Sequence, residues 1–348
     1  MFFTKFLPKR FLGVDIGTAA IKVVELSRWG DRRKLENYGE ISAGVLYEKT
    51  FRTFDKSTLL LSSQNIAKAI LAINESAKIK TKECIFSIPD FSTFFTNFDL
   101  PLMTKDELPE AVRYEARQHI PLPLGEVTLD WQVANNTDKL KILLVAVPNE
   151  VINQYQEIAK MCELKLVSLE AEVFGLLRSL VPKEETKIVG LLDIGAQSTT
   201  YSIIDKGVLK VSHSFDLAGN ELTEQIAKSL SIDYTQAENL KRKYGLQTDQ
   251  NIKNIIAPLI DSILRETERI SNNFLQSENK EVAKFIIAGG VALIPGIKEY
   301  FQEHSHKETE IANPFLNIYC PPILEKTLKE MGPSYAIATG LALRGLET

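Results

Sequence analysis

Residues 11–26 read FLGVDIGTAAIKVVEL, in which an apolar run leads to Asp15, then to a glycine among small residues, and then to a second apolar run that carries Lys22. This pattern predicts two antiparallel strands joined by a tight turn. Such a turn leaves backbone N–H groups unpaired at its tip, and Gly17 and Thr18 are small enough for a phosphate group to approach them. Taken alone, the stretch fits either a phosphate-binding turn or an ordinary hairpin.

A second stretch, residues 189–205, repeats this pattern with the sequence VGLLDIGAQSTTYSIID. Its aspartate, Asp193, follows Asp15 by about half of the 348-residue chain (193 − 15 = 178). Repetition at that distance predicts a duplicated domain whose halves face each other across a cleft. Each half would then direct one carboxylate and one set of backbone donors into the cleft, and Gly195 and Gln197 lie in the second turn.

The paired aspartates also predict a metal ion. At about 5 Å and an effective dielectric constant near 20, each like-charge pair between a carboxylate and a polyphosphate costs roughly 3 kcal/mol. Mg²⁺, which is commonly held by one or two carboxylates together with phosphate oxygens, would offset this repulsion. Asp15 and Asp193 are therefore the predicted metal-binding residues.

Composition excludes several other classes of protein. The chain has 41 Lys and Arg against 45 Asp and Glu, a net charge of −4, and it lacks the strongly basic block typical of nucleic-acid binding. Three widely separated cysteines argue against disulfides and against a zinc site. No window reaches the roughly 18 apolar residues of a membrane span, and the N-terminus lacks a signal-peptide pattern. These features predict a cytoplasmic protein.

The chain between the two hairpins predicts an interrupted β-β-β-α-β order. A further strand (34–41), a helix (63–78) and a strand (83–88) follow the first hairpin, and a segment with its own strands and helix then intervenes. The helix of that segment is predicted to begin after Asp106 as N-cap, because Pro109 then falls where its missing N–H loses no helical bond. It should run to about His119, with an inward stripe of Leu108, Val112 and Ala116.

The second half is predicted to repeat the scheme from residue 187 onward. Gly219 and Asn220 open a helix whose first N–H groups could bind an anion. A longer helix is predicted over residues 259–276, with Ile260, Ile263, Ile270 and Phe274 on one face, and a buried strand over 285–288 runs into Gly289 and Gly290.

Three glycine-marked turns in this order resemble the actin-like ATPase superfamily of actin, heat-shock chaperones, sugar kinases and FtsA. Within it, residues 98–132, FDLPLMTKDELPEAVRYEARQHIPLPLGEVTLDWQ, are similar to the PilM family of type IV pilus assembly, and the resemblance extends over residues 12–346. It implies an α/β, actin-like ATPase fold with two duplicated α/β domains around a nucleotide cleft. The implied divisions are a first domain (1–88, with 163–188 and 334–348), an FtsA-like inserted subdomain (89–162), and a second domain (189–333, with 217–280 as its smaller subdomain).

The resemblance also assigns site residues. Glu172 matches the position that orients the attacking water, although Glu170 could be the aligned residue instead. Ala218-Gly219 stands where the superfamily often has Gly-Gly, which would alter nucleotide affinity. The other implied nucleotide contacts are a first phosphate motif (Asp15, Gly17, Thr18, Lys22), a second phosphate motif (Asp193, Gly195, Gln197), an adenosine contact (Gly289, Gly290) and a wall around ribose and adenine (Gly219, Asn220, Glu238, Lys241).

By resemblance, we expect a cytoplasmic scaffold of the pilus inner-membrane platform that binds ATP with Mg²⁺ and hydrolyses it slowly at most. Its expected partner is the N-terminal peptide of the membrane protein PilN, held between the inserted subdomain and the first half, and homo-oligomers are possible. Two alternatives stay open. A small-molecule kinase would need a further catalytic base. An FtsA-like membrane-associated filament would need a C-terminal amphipathic anchor, and none follows the predicted helix 335–343.

Overall fold

The computed structural model describes residues 8–42, 62–135, 139–247 and 249–347. Parts of the predicted first domain, at residues 1–7, 43–61 and 348, therefore lie outside the described residues. Among the described residues, no helix has both the length and the apolar character that a bilayer span requires.

Single helices separate short runs of strands up to residue 215, and three helices then follow one another over residues 219–278. The strands are β1 (Lys9–Ile16), β2 (Ala20–Trp29), β3 (Arg32–Ser42), β4 (Glu83–Ile88), β5 (Phe94–Leu100), β6 (Val127–Asn135), β7 (Leu140–Pro148), β8 (Lys165–Ala171), β9 (Val189–Ile194), β10 (Thr199–Asp205), β11 (Val208–Phe215), β12 (Lys284–Ala288) and β13 (Glu308–Ile311). The helices are α1 (Ser63–Ser76), α2 (Leu108–Ala116), α3 (Asn149–Met161), α4 (Glu172–Leu180), α5 (Gly219–Leu230), α6 (Tyr234–Tyr244), α7 (Gln250–Glu278), α8 (Ile297–Ser305), α9 (Glu325–Met331) and α10 (Ala336–Glu347).

The two large sheets have the same topology. The first has the strand order β3-β2-β1-β4-β8 and the second has the order β11-β10-β9-β12-β13. Asp15 pairs with Lys22 in the first hairpin, and Asp193 pairs with Thr200, at the equivalent register, in the second. The predicted duplication is therefore confirmed down to the register of the two hairpins.

Close packing of backbones holds α10 against the first sheet and α4. A Cβ atom added at Gly13 of β1 would lie 1.9 Å from the carbonyl oxygen of Ala338. A Cβ added at Gly340 would lie 1.8 Å from the carbonyl oxygen of Gly175 in α4. Because no side chain fits at these crossings, the small residues of α10 permit the helix to cover a buried strand directly.

The inserted segment folds as predicted, although the helix limits differ. Its strands form an antiparallel sheet in the order β5-β7-β6, and Leu108, Val112 and Ala116 of α2 are buried. The predicted N-cap at Asp106 is wrong, because Glu107 occupies that position and Pro109 is the second helical residue. The Glu107 carboxylate accepts hydrogen bonds from the N–H (2.9 Å) and hydroxyl (2.7 Å) of Thr104, which hold residues 104–107 in a turn before the helix.

The end of α2 also comes earlier than the predicted His119. The backbone N–H groups of residues 117–119 donate to carbonyls three positions back, at 3.3, 3.0 and 3.1 Å, so the last turn is tighter than an α-helix.

Two further elements differ from the sequence-based predictions: one strand and the start of one helix. The strand β8 was not predicted, because its sequence KLVSLEA mixes polar and apolar residues, as befits an edge strand. Helix α7 begins at Gln250, not at residue 259, and Pro258 lies inside it on an exposed face. The Asp249 carboxylate caps this earlier start by accepting from the N–H groups of Asn251 and Ile252, at 2.8 and 3.1 Å.

Candidate functional site

The two glycine turns lie at equivalent positions in the two large sheets. A Cβ on Gly17 would approach the carbonyl oxygen of Ala20 to 2.8 Å, and one on Gly195 would approach that of Ser198 to 3.0 Å. The Gly195 N–H donates to the same Ser198 oxygen at 3.0 Å. Thr18 and Gln197 lie within these turns, as predicted. A side chain therefore does not fit at Gly17 without a backbone shift, and at Gly195 it would crowd the Ser198 carbonyl.

Asp15 and Asp193 interact across the cleft between these turns. Asp15 is 3% exposed and accepts a hydrogen bond from the Ser87 hydroxyl at 2.9 Å. Burial, together with the negative charge of Asp15, raises the pKa of Asp193 to about 7 against the opposing positive charge of Lys22. The structure thus brings Asp15, Lys22 and Asp193 into one electrostatic cluster, as expected from the sequence.

This cluster fits a magnesium ion that is completed by a phosphate ligand. Within the described ranges, no three His, Cys, Asp or Glu side chains converge as a preformed metal cage. Mg²⁺ does not need such a cage, because it keeps waters and takes one or two carboxylates plus phosphate oxygens. The repulsion that raises the pKa of Asp193 is the repulsion that a cation would relieve.

One buried carboxylate in this cluster, Asp90, is not among the residues predicted from the sequence. It follows β4 in a short 3-10 turn (Asp90–Ser92) and is 4% exposed. Burial raises its pKa, and the charge of Asp193 adds to the shift. The signal that could have found it is its place directly after a buried parallel strand, since ligands in α/β sheets bind beyond the carboxyl ends of strands.

Glu172, not Glu170, contacts this carboxylate cluster. Glu172 opens α4, and its Oε2 accepts from the backbone N–H of Asp90 at 3.2 Å. Glu170 is buried in a bidentate pair with Arg178, at 2.8 Å for both bonds, and also binds Arg344 at 2.6 Å. Glu170 is thus engaged in joining the first sheet to α4 and α10.

The predicted ribose and adenine wall packs against the second turn. The N–H groups of Gly219 and Asn220 donate to the carbonyl oxygens of Gly195 and Ala196, at 3.0 and 2.8 Å. These two groups are therefore already used, and the expectation that they would bind an anion is corrected. Their bonds instead fix the start of α5 to the turn.

Behind this wall lies a buried ion pair. Lys241 is 5% exposed, pairs with Glu238 at 2.6 Å and donates to the Gly219 carbonyl oxygen at 2.9 Å. Its charge contributes to lowering the pKa of Glu238 against the opposing effect of burial. The structure therefore gathers Gly219, Asn220, Glu238 and Lys241, with the last two supporting the wall from behind.

The Gly289-Gly290 pair forms the remaining side of the site. Gly289 has a φ of +84°, and a Cβ there would lie 2.4 Å from the Ile194 carbonyl oxygen and 2.6 Å from Asp193 Oδ1. A Cβ at Gly290 would meet nothing within 4 Å. Gly289 therefore allows close approach to Asp193, and Gly290 borders open space.

Solved structures of similar fold define the class. The chain is similar to ethanolamine utilization protein EutJ from Carboxydothermus hydrogenoformans (TM-score 0.61, 16% identity, 98% of this chain and 91% of that chain covered). It is also similar to MreB5 of Spiroplasma citri bound to AMPPNP (TM-score 0.52, 16% identity, 92% and 97% covered). The cell division protein FtsA of Staphylococcus epidermidis is 20% identical over 204 residues, which span 52% of this chain and only 44% of FtsA. The fold is that of the actin-like ATPases.

Two further comparisons identify the family. The structure of a PilM-PilN type IV pilus biogenesis complex matches with a TM-score of 0.84 and 25% identity, covering 97% of this chain and 98% of that chain. A model of the family described as type IV pilus assembly protein PilM matches residues 13–346. The chain belongs to the PilM family of type IV pilus assembly proteins.

Proposed function

We propose that this chain is an ATP-binding actin-like scaffold of the type IV pilus inner-membrane platform and that it binds the N-terminal peptide of PilN. The observation that carries the nucleotide part is the pair of equivalent glycine turns with Asp15 and Asp193 beside them. PilN would hold the chain at the cytoplasmic face of the inner membrane.

In this proposal, each part of the cleft contacts one part of the nucleotide. The backbone N–H groups of the two turns bind the phosphates, and Lys22 adds positive charge beside them. Mg²⁺, held by Asp15 and Asp193, supplies the charge neutralisation that the phosphates require. The space beside Gly290 accepts the adenosine, and the Glu238–Lys241 pair keeps the opposite wall in place.

The peptide part rests on a cavity in the inserted subdomain. It has a volume of about 470 Å³ and lies between α2 and β6, with Asn149 of α3 at its border with the first half. Strand β6 is an edge strand of its sheet, so its backbone is available to an extended peptide. In this proposal, the apolar residues of the cavity contact side chains of the peptide, and the polar residues contact its backbone. The main apolar residues are Pro109, Val112, Leu124, Leu129 and Trp131, and the polar ones include Arg113 and Thr128.

Calorimetric titration with ATP tests the nucleotide site. We expect ATP binding to depend on Mg²⁺ and to weaken at least about tenfold in Asp15→Ala and in Asp193→Ala. Each variant loses one carboxylate ligand of the metal ion, and a loss of about 1.4 kcal/mol in binding free energy is a tenfold loss in affinity. Asp249→Ala, which removes a carboxylate from the cap of α7, is the control and should bind as the wild type. Unchanged affinity in both cleft variants would refute the site.

Titration with a peptide from the PilN N-terminus tests the partner site. In isotope-labelled protein, resonances of residues 98–132 and of the facing first half should shift. Trp131→Ala should weaken binding about tenfold or more, since Trp131 lines the cavity. Tyr114→Ala is the matched control, because Tyr114 is 67% exposed and does not line the cavity. Equal losses in both variants would place the peptide elsewhere.

A further inference from the structure

The segment between β13 and α9 extends the edge of the first sheet. The Tyr319 N–H donates to the Arg33 carbonyl oxygen at 2.9 Å, and the Tyr319 carbonyl oxygen accepts from the Leu35 N–H at 3.0 Å. Tyr319 pairs with Lys34 and is therefore level, through the strand register, with Arg10 near the start of β1. This edge thus lies at the opposite end of the first sheet from the first glycine turn.

Three large apolar side chains of this segment are exposed, although the segment itself is anchored. Phe315 and Ile318 are buried in the hydrophobic core, whereas Leu316, Tyr319 and Ile323 are 73%, 63% and 88% exposed. Neighbouring exposed apolar side chains commonly mark a binding surface. Because the two buried residues fix the segment, the three exposed side chains are held outward.

Trp29 adds an aromatic ring to the same face of the sheet. It ends β2 and pairs with Arg32, while Tyr319 pairs with Lys34 of the same strand, β3. Directly paired residues, and residues two apart in one strand, direct their side chains to one face of a sheet. Trp29 is 65% exposed, and the usual strand spacings place it roughly 12 Å from Tyr319. We name as the edge patch the residues Trp29, Arg32, Lys34, Leu316, Tyr319 and Ile323.

The edge patch is basic as well as apolar. Residues 28–34, RWGDRRK, carry four cations and one acidic residue, a net charge of +3 (4 − 1), whereas the whole chain has −4. Arg32 is exposed and makes no hydrogen bond or ion pair with the residues that the structure describes. Lys34 and Arg10 contact Glu36 at 3.0 and 3.8 Å, and each keeps 46% of its side chain exposed. The patch thus combines aliphatic tips, two aromatic rings and cations.

We propose that the edge patch docks directly on the surface of a lipid bilayer that has anionic headgroups. Tryptophan and tyrosine rings occupy the boundary between headgroups and acyl chains, aliphatic tips enter the acyl region, and arginine and lysine are attracted to anionic lipids. The patch contains none of the residues proposed to bind ATP or the PilN peptide. It adds a direct lipid contact to the proposed attachment through PilN.

Two other occupants match these residues less completely. A second copy that docked patch to patch would bring Arg10, Arg32 and Lys34 against the same cations of its partner, and such like-charge contacts are unfavourable. A nucleic acid would contact the cations and stack bases on the rings, but it has no acyl region for Leu316 and Ile323. An anionic bilayer matches all three kinds of side chain.

Co-sedimentation of the full chain with lipid vesicles tests the proposal. We expect binding to phosphatidylcholine vesicles that contain about 30% phosphatidylglycerol, and at least about tenfold weaker binding to pure phosphatidylcholine. Binding should also weaken as the ionic strength is raised. The double variant Trp29→Ala, Ile323→Ser and the single variant Arg32→Glu should each bind anionic vesicles at least about tenfold more weakly than the wild type.

The matched controls make the same kinds of change outside the edge patch. Tyr114→Ala combined with Leu102→Ser removes an aromatic and an aliphatic side chain that are 67% and 61% exposed in the inserted subdomain. Lys298→Glu reverses the charge of an exposed residue in α8. Both controls should bind anionic vesicles like the wild type, and thermal unfolding checks that every variant is folded.

The fluorescence of Trp29 gives a second measurement, which reports the position of the ring. Trp29 and Trp131 are the two tryptophans of the chain, so Trp131→Phe leaves Trp29 as the single reporter. On addition of anionic vesicles, its emission should shift to shorter wavelength and should be quenched by lipids with brominated acyl chains. Emission that stays unchanged while the protein binds would show that the ring does not enter the bilayer.

Several other results would overturn the inference. Failure of the wild type to bind anionic vesicles, or wild-type binding by the patch variants, would refute docking through the edge patch. Tighter binding to an oligonucleotide than to vesicles would assign the patch to nucleic acid. Self-association that is lost in the double patch variant, without vesicle binding, would assign it to a second copy. These measurements use neither ATP nor PilN, so the proposed function is tested separately.

Discussion

Asp15 and Asp193 occupy equivalent positions in the two hairpins, but the groups that surround the two carboxyl groups differ. Asp15 has a hydroxyl donor in Ser87, whereas Asp193 is surrounded by Asp15, Lys22 and Asp90, two of which repel its charge. A carboxyl group whose pKa is higher in the folded state binds its proton more tightly there than in the unfolded chain. The free protein should therefore lose stability as Asp193 ionises.

The pH dependence has a definite sign. The pKa of Asp193 rises from 3.8 to about 7 on folding, so its stabilising contribution is complete below pH 3.8 and is lost as the pH rises through about 7. We expect Asp193→Asn to stabilise nucleotide-free protein in EDTA by about 1–3 kcal/mol at pH 8 and by much less at pH 5. Denaturant unfolding at the two pH values measures this, and an equal effect at both would contradict it.

The adjacent glycines Gly289 and Gly290 should respond differently to the same substitution. Gly289→Ala should destabilise the fold by about 3 kcal/mol or more, because its positive φ and its contacts with Ile194 and Asp193 exclude a Cβ. Gly290→Ala should unfold like the wild type but bind ATP more weakly, since its Cβ would enter the open space proposed for adenosine. Denaturant unfolding and calorimetry separate the two, and equal destabilisation would refute the distinction.

Residues marked by glycine turns could be predicted from sequence, because the turn and its carboxylate are adjacent in the chain. Asp15 and Asp193 were found in this way. Asp90 was missed because the groups that define its role, Glu172 and Val173, lie more than eighty positions away. The choice of Glu172 over Glu170 likewise needed Arg344, a partner 174 positions from Glu170.

At the scale of elements, the long helix α7 contains a proline in its interior, and the helix does not need this proline in order to form. Pro258 lies on an exposed face of α7, where it removes one backbone hydrogen bond. We expect Pro258→Ala to stabilise the protein by about 1–3 kcal/mol, since it restores that bond and an alanine is the best helix former. Ser262→Ala is unsuitable as a control because its hydroxyl donates to the Pro258 carbonyl oxygen. Lys253→Ala, also in α7, is a better one.

Thermal unfolding of the Pro258→Ala and Lys253→Ala variants checks this prediction. A melting temperature of Pro258→Ala below that of the wild type would contradict it.

Elements with a strong hydrophobic periodicity or a glycine at their boundary could be predicted from sequence. Elements that are defined by tertiary contacts could not. The hairpins, β4 and the buried stripe of α2 were predicted from local patterns and are confirmed. The edge strand β8 has no clear alternation, and the predicted start of α7 at residue 259 missed the two turns that follow the Asp249 cap.

At the scale of the whole molecule, the inserted subdomain contacts both halves. The Asn97 side chain donates to the Lys210 carbonyl oxygen at 2.9 Å, and Lys141 forms an ion pair with Glu278 of α7. A cavity of about 190 Å³ lies between these two contacts. These contacts therefore attach the inserted subdomain to the second half.

Removal of both contacts should weaken the attachment of the inserted subdomain to the second half. Together they contribute about 1–2 kcal/mol, so we expect Asn97→Ala combined with Lys141→Ala to increase local opening about tenfold. Hydrogen exchange should then be faster in β5 and β11. Lys165→Ala breaks a comparable ion pair within the first sheet, with Glu83 at 2.7 Å, and should leave β5 and β11 unchanged. Unchanged hydrogen exchange in the double variant would refute this role of the two contacts.

The close contact between β1 and α10 has a consequence for synthesis of the protein. Gly13 and Ala338 touch although they are far apart in the chain (338 − 13 = 325). At about 5–20 residues per second, a ribosome needs roughly 15–65 s to pass from one to the other. Throughout that interval the face of β1 that packs on α10 has no helix to cover it, although its other face packs on α1 and α3. The first half therefore completes its core only after the second half has been translated.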